Sequence, residues 1–92
     1  MKSIIQSEKK CFICETTMSL EEHHCIYGTS NRKQSEKYGM KVWLCQEHHT
    51  GSAGAHLNKE LDTHLKKYAQ TYFEANLGTR TAFRSVFGKS YL

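Results

Sequence analysis

Three cysteines and one histidine carry the clearest chemical signal in the chain. Cys11 and Cys14 form a C-x2-C knuckle, and after thirty intervening residues Cys45 and His48 form a C-x2-H knuckle. Two such pairs can meet as a tetrahedron of sulfur and nitrogen around Zn²⁺, whose borderline softness suits both donors. A closed shell of four protein ligands leaves no position for substrate, so the expected role of this zinc is structural. Two variants of the set compete with it: Cys25 in place of His48, giving four thiolates, and His49 in place of His48 through a one-residue slip. Left outside the set, Cys25 behaves as a small buried hydrophobe.

The other histidines are not scattered either. His23-His24 follows Glu21-Glu22, His49 directly follows the second knuckle, and closing both knuckles on one ion draws these neighbours together. Their types suit phosphodiester hydrolysis, which needs a base for the attacking water and a cation for the phosphate. Imidazole, with a pKa of about 6.5, is neutral and receptive near neutral pH, and His24 fits the role of base. A divalent ion held by few protein ligands keeps positions open for phosphate and water. Adjacent side chains of a strand face opposite ways, so His23 and His24 can serve one site only where the strand is twisted or irregular. The plainer alternative for the same residues is a solvated face or an adventitious metal site.

The frame that must position these groups is small. Apolar residues and glycine together number 36 of 92, below the roughly 45–50% of ordinary globular domains. One domain with a thin core is expected, and a chain this short commonly needs a staple. Met1 to Lys10 has no apolar signal-peptide core, and no stretch approaches the roughly 18 apolar residues that span a bilayer. A cytoplasmic location follows as the expectation, with reduced thiols available for metal rather than disulfides. Residues 2–10 read as a loose N-terminal arm. His23 to Tyr27 reads as a first strand, Gly28 to Gly39 as a polar loop and Lys41 to Leu44 as a second strand. Leu57, Leu61, Leu65, Tyr68 and Tyr72 recur at helical intervals, with a stop at Asn76 to Gly78 and His64 at the packing boundary. A short helix is expected over Thr81 to Phe87, with Gly88 as its cap. The formal charge is +4, and three thiolates on one Zn²⁺ together subtract one unit, leaving +3. Arg32, Lys33, Lys37 and Lys41 are the expected contacts to a nucleic-acid backbone.

From Cys11 to His49, nearly half its length, the chain resembles the HNH endonucleases of the ββα-metal fold, in the subgroup whose two knuckles clamp a zinc. The residues that carry the resemblance are the first knuckle, Glu22-His23-His24, and Leu44-Cys45-Gln46-Glu47-His48-His49 in place of the family's Leu-Cys-x-x-Cys-His. The chain looks most similar to small stand-alone HNH proteins of phages, whose tails resemble Glu60-Leu61-Asp62 and Phe87 to Tyr91. The resemblance implies an α+β fold: a small zinc-stabilised ββα-metal domain with a C-terminal helical extension. Residues 1–10 are then the arm, 11–56 the knuckles and ββα-metal motif, and 57–92 the extension.

The resemblance further implies a metal-dependent endonuclease that hydrolyses DNA, with structural Zn²⁺ and a catalytic divalent ion such as Mg²⁺, Mn²⁺ or Ni²⁺. In it His23 matches a metal position, His24 the general base and His49 a second metal ligand. Asn31 stands for the family's asparagine, although it lies early in the segment before the second strand. The gap from Gly51 to Ala55 departs from the family pattern and leaves His56 and Asn58 to turn inward as an additional ligand and an orienting group. The implied partners are DNA and a second copy or a phage protein, with no membrane, in the host cytoplasm. The rival class is a zinc-knuckle module that binds nucleic acid or protein without cutting. The histidine pair before the second knuckle favours the enzyme, whereas the placement of Asn31 keeps open a nuclease fold without activity.

Overall fold

The computed structural model describes residues 2–92. Its elements run β1 (Leu20–His24), α1 (Asn31–Tyr38), β2 (Lys41–Cys45), α2 (Gln46–His49), α3 (Lys59–Asn76) and α4 (Arg80–Phe87). The chain is thus a small α+β protein around one two-stranded antiparallel sheet. Leu20 lies opposite Cys45, His23 opposite Val42 and His24 opposite Lys41. Paired residues share a face and successive residues alternate. One face therefore presents Glu21, His23, Val42 and Leu44, and the other Glu22, His24, Lys41 and Trp43. Among the described residues, no helix is long and apolar enough to cross a membrane.

The first strand begins earlier than its β-forming residues suggest, at Leu20, and ends at His24. Cys25 still donates its N–H to the Met40 carbonyl at 2.9 Å, but Cys25 and Ile26 leave the ladder to enter the core, where both are fully buried.

The segment expected as a loop between Gly28 and Gly39 is largely helix α1. Arg32, Lys33, Gln34, Glu36 and Lys37 are straight-chain residues that lose little rotamer freedom in a helix. The apolar stripe that would announce such a helix is missing because Ser35 is its one buried residue. The Ser35 hydroxyl donates to the Ile26 carbonyl and accepts from the Ile26 N–H at 3.3 Å. Gly39, at φ 70°, closes the helix in the left-handed conformation, and a Cβ there would collide with the Lys2 carbonyl oxygen.

That contact belongs to the arm, which is not loose. Ile4 donates its N–H to the Gly39 carbonyl at 3.1 Å, the Ser3 hydroxyl donates to the Lys41 carbonyl, and the Gln6 side chain accepts from the Trp43 N–H at 2.8 Å. Ile5 is buried. The arm thereby covers the outer edge of β2, whose unpaired backbone groups would otherwise be open to another chain.

The buried side of α3 also differs from the expected stripe. Asp62, Leu65, Ala69, Gln70 and Phe73 are buried, while Leu57, Tyr68 and Tyr72 are exposed. The face carrying Phe73 wins because α4 brings Phe83 and Phe87 against it, with ring centroids 5.3 and 6.2 Å away. His64 is exposed and not at the packing boundary. Asn58 accepts from the Leu61 N–H at 3.1 Å as the N-cap of α3, so its side chain is a cap and not an orienting group. Helix α4 starts one residue ahead of the expected position and is closed by Gly88 at φ 93°.

Candidate metal centres

The two knuckles converge. Cys11, Cys14, Cys45 and His48 offer four donor atoms within 4.8 Å of one another and form a group able to bind zinc. Cys14 Sγ lies 3.8 Å from Cys45 Sγ, Cys11 Sγ lies 3.8 Å from His48 Nδ1, and Cys45 Sγ lies 3.2 Å from the same nitrogen. Two thiolates bound at about 2.3 Å and set at the tetrahedral angle stand about 3.8 Å apart, so the spacing fits. Burial resists ionisation of Cys11, but the N–H groups of Cys14, Cys45 and Ile13 outweigh it and bring the thiol down to about 6. A thiolate there suits a metal. Each pair is held locally: Cys11 donates its N–H to Thr16 and accepts from Glu15 to close the first knuckle, and one turn of helix, α2, carries His48 past Cys45. Cys25 is outside the group, fully buried, with its thiol pushed far up by burial.

A second group joins His23, His49 and His56, again within 4.8 Å of one another. His49 Nε2 and His56 Nε2 are 3.1 Å apart, close to the separation of two nitrogens that share one ion at about 2.1 Å. His23 is only 1% exposed, and its Nε2 has no hydrogen-bond partner. A buried imidazole nitrogen left unsatisfied is costly unless a ligand completes it. Burial, with the nearby His49 and His56 rings, depresses the His23 pKa to about 3, which keeps the ring neutral and ready to donate a lone pair. Glu21 accepts from His49 Nδ1 at 2.7 Å, turning Nε2 toward the group. Carboxylates in this position orient metal-binding histidines and raise their basicity.

His56 reaches the site because residues 50–57 fold back on α2. The Ala55 N–H donates to the His48 carbonyl at 2.9 Å and the His56 N–H to the His49 carbonyl at 3.3 Å. A Cβ on Gly54 would lie 2.6 Å from the His49 carbonyl oxygen, so this return depends on glycine there.

His24 occupies the opposite face of β1 and is not part of the triad. Its Nε2 bonds Glu36 Oε1 at 3.0 Å, while Glu36 Oε2 accepts from Lys41 at 2.6 Å and Lys41 also pairs with Glu22 at 3.2 Å. Because His24 is the last residue of β1, the two faces meet beside it. A cleft of about 210 Å³ is lined by His23, His24, His49, His56, Tyr27, Glu22 and Arg32. A second, of about 430 Å³, runs from His24 past Gly28, Thr29, Arg32, Lys33 and Glu36.

Arg32, Lys33 and Lys37 are exposed on α1. Lys41 is 9% exposed and its ammonium is held by two carboxylates, which sets it apart from those three. Asn31 donates its amide to the Phe87 carbonyl at 3.2 Å, tying α1 to α4. Glu21 and Glu36 had no assigned role in the sequence. Reading residues 31–38 as a helix would have put Arg32 and Glu36 on one face, four residues apart. Comparison of the chain with models of protein families, with curated proteins and with solved structures finds no match.

Replacing Cys14 by Ser is expected to abolish metal retention at the four-ligand group and to unfold the chain, while Cys25→Ser retains metal; elemental analysis after dialysis against a mild chelator, with circular dichroism, checks both. Replacing Glu21 by Ala is expected to weaken divalent-ion binding at the three-histidine group by about 10–100-fold, with the tightly held metal unchanged, as read by calorimetric titration.

Proposed function

We propose that the chain is a metal-dependent nuclease of the HNH type, with Zn²⁺ in the group of Cys11, Cys14, Cys45 and His48 and a catalytic divalent ion held by His23, His49 and His56. The observation that carries the reading is the convergence of His49 and His56 on His23, whose Nε2 is buried and unpartnered, with a further histidine held separately at the rim of the same cleft. A structural zinc module has no need of that second group. The all-imidazole donor set suits Ni²⁺ or Zn²⁺ better than Mg²⁺, which prefers oxygen ligands. Four free cysteines suit a reducing, cytoplasmic setting.

An ion bound by these histidines supplies neutralisation of the charge that develops on a phosphodiester during hydrolysis. The chain's own residues do the rest. Arg32 and Lys33 line the approach to His24 and draw a phosphate backbone toward it. His24 takes a proton from the attacking water as its oxygen bonds to phosphorus and the bond from phosphorus to the leaving oxygen breaks; the leaving oxygen is protonated from solvent. Tyr27 borders the site, with its ring centroid 5.3 Å from that of His56, and limits water on that side. One observation favours a second reading, a zinc-knuckle module that binds nucleic acid without cutting: the amide of Asn31 is committed to the Phe87 carbonyl.

Supercoiled plasmid incubated with the purified chain and Ni²⁺, Mn²⁺, Zn²⁺ or Mg²⁺ decides between them. The wild type is expected to nick, and His24→Ala to keep its zinc, fold and DNA affinity while cutting about 10²-fold more slowly or worse. A wild type that binds DNA and never nicks establishes the binding module. Replacing Arg32 and Lys33 together by Ala is expected to weaken binding evenly across DNA sequences and to lower the salt slope by about two, measured by fluorescence anisotropy over a salt series.

A further inference from the structure

Glu22, His24 and Glu36 bring three potential cation ligands together on the sheet face opposite the three-histidine group. The cation of this cluster is already present. The Lys41 ammonium lies 2.6 Å from Glu36 and 3.2 Å from Glu22, and Lys41 stands directly across the ladder from His24. The His24 imidazole is thus built into a salt bridge that Lys41 already forms with Glu22 and Glu36.

We propose that Glu36 is the positioning residue of His24, holding its ring with Nε2 protonated and leaving the Nδ1 lone pair as the proton acceptor. The assignment rests on the nuclease reading given above. Among the described residues the two oxygens of Glu36 face different groups: Oε1 faces His24 Nε2 at 3.0 Å and Oε2 faces the Lys41 ammonium. A carboxylate is an acceptor only, so the proton of that imidazole contact belongs to Nε2. Lys41, held in turn by Glu22, fixes the carboxylate from its other side. Lys41 and then His24 depress the Glu36 pKa to about 2, so the group is a carboxylate throughout the neutral range. The backbone supports the arrangement, since Glu36 follows Ser35, whose hydroxyl anchors α1 to Ile26.

The same contact serves the reaction. When Nδ1 takes the proton of water, the ring becomes an imidazolium whose Nε2–H already points at a carboxylate, so positive charge develops where negative charge waits. The Nε2 proton stays in place; the proton gained at Nδ1 passes to bulk water after the bond to the leaving oxygen has broken. Glu36 touches neither phosphate nor water in this scheme and acts through His24 alone.

The test uses the zinc-loaded full chain, wild type, Glu36→Ala and Glu36→Gln. Long-range ¹H–¹⁵N spectra report the His24 tautomer without any need for cleavage. The wild type is expected to show the Nε2–H form and Glu36→Ala a mixture of tautomers. In plasmid cleavage, kcat of Glu36→Ala is expected to fall by ~10-fold or more with KM, zinc content and fold unchanged. Glu36→Gln, which keeps an acceptor oxygen without the charge, is expected to fall between the two. A wild type with the proton on Nδ1, or a Glu36→Ala variant with wild-type tautomer or wild-type kcat, overturns the assignment while leaving a cutting wild type as a nuclease. A wild type that shows the Nε2–H form held by Glu36 but never cuts overturns the nuclease reading, and with it any catalytic meaning of the pair.

Discussion

The convergence of Cys11, Cys14, Cys45 and His48 is the constraint on which the other parts of the molecule depend. Helix α2 is one turn of four residues, far too short to persist through its own hydrogen bonds. It is defined because Cys45 enters it and His48 leaves it toward the same point in space. That turn then sets the direction of His49, and the backbone returning over it sets His56. An ion bound by the four donors would contribute folding free energy directly, in a chain too short to bury a large core.

The sheet turns this one constraint into two chemical environments. On one face Glu21 and His23 meet His49 and His56, where burial keeps the His23 ring neutral and Glu21 turns His49 Nε2 inward. On the other His24 joins a chain of alternating charges formed by Glu36, Lys41 and Glu22. The faces are kept apart along the strand and meet where it ends. Consecutive histidines can therefore take different work, one a buried lone-pair donor and the other, partly buried at the rim of the cleft, the base of the proposed nuclease.

Much of this was legible in the chain because metal ligands announce themselves by type and spacing. The favoured four-ligand set and the approach of His56 follow from knuckle spacing and a glycine-bearing return, whereas the rival set with Cys25 was left open by the spacing and is excluded by the burial of that thiol away from the group. Helix α1 was hidden for a physical reason. Its single buried position is a serine, so no apolar periodicity marks it, and with it went the role of Glu36, which depends on a helix bringing residue 36 back to the sheet. The buried face of α3 was misjudged because tyrosine supports either a core or a surface reading. Phe73 was decided by α4, an element its local sequence does not contain. The arm looked loose because its attachments are backbone groups and the polar side chains of Ser3 and Gln6.

A two-stranded ladder of five residues a side is ordinarily a poor judge of its own alignment. Here Leu20 is set opposite Cys45, and Cys45 is itself one of the four donors, so the alignment of the strands is tied to the closing of the knuckles. A slip by one position would turn every side chain of β1 to the other face. Glu21 and His23 would then confront Glu36 and Lys41, and His24 would be thrust among the other imidazoles. The product of such an error would be an inverted molecule, with the side chains of its two faces exchanged, and not a weaker version of the native one. In the native alignment the closing of the knuckles and the separate surroundings of His23 and His24 occur together.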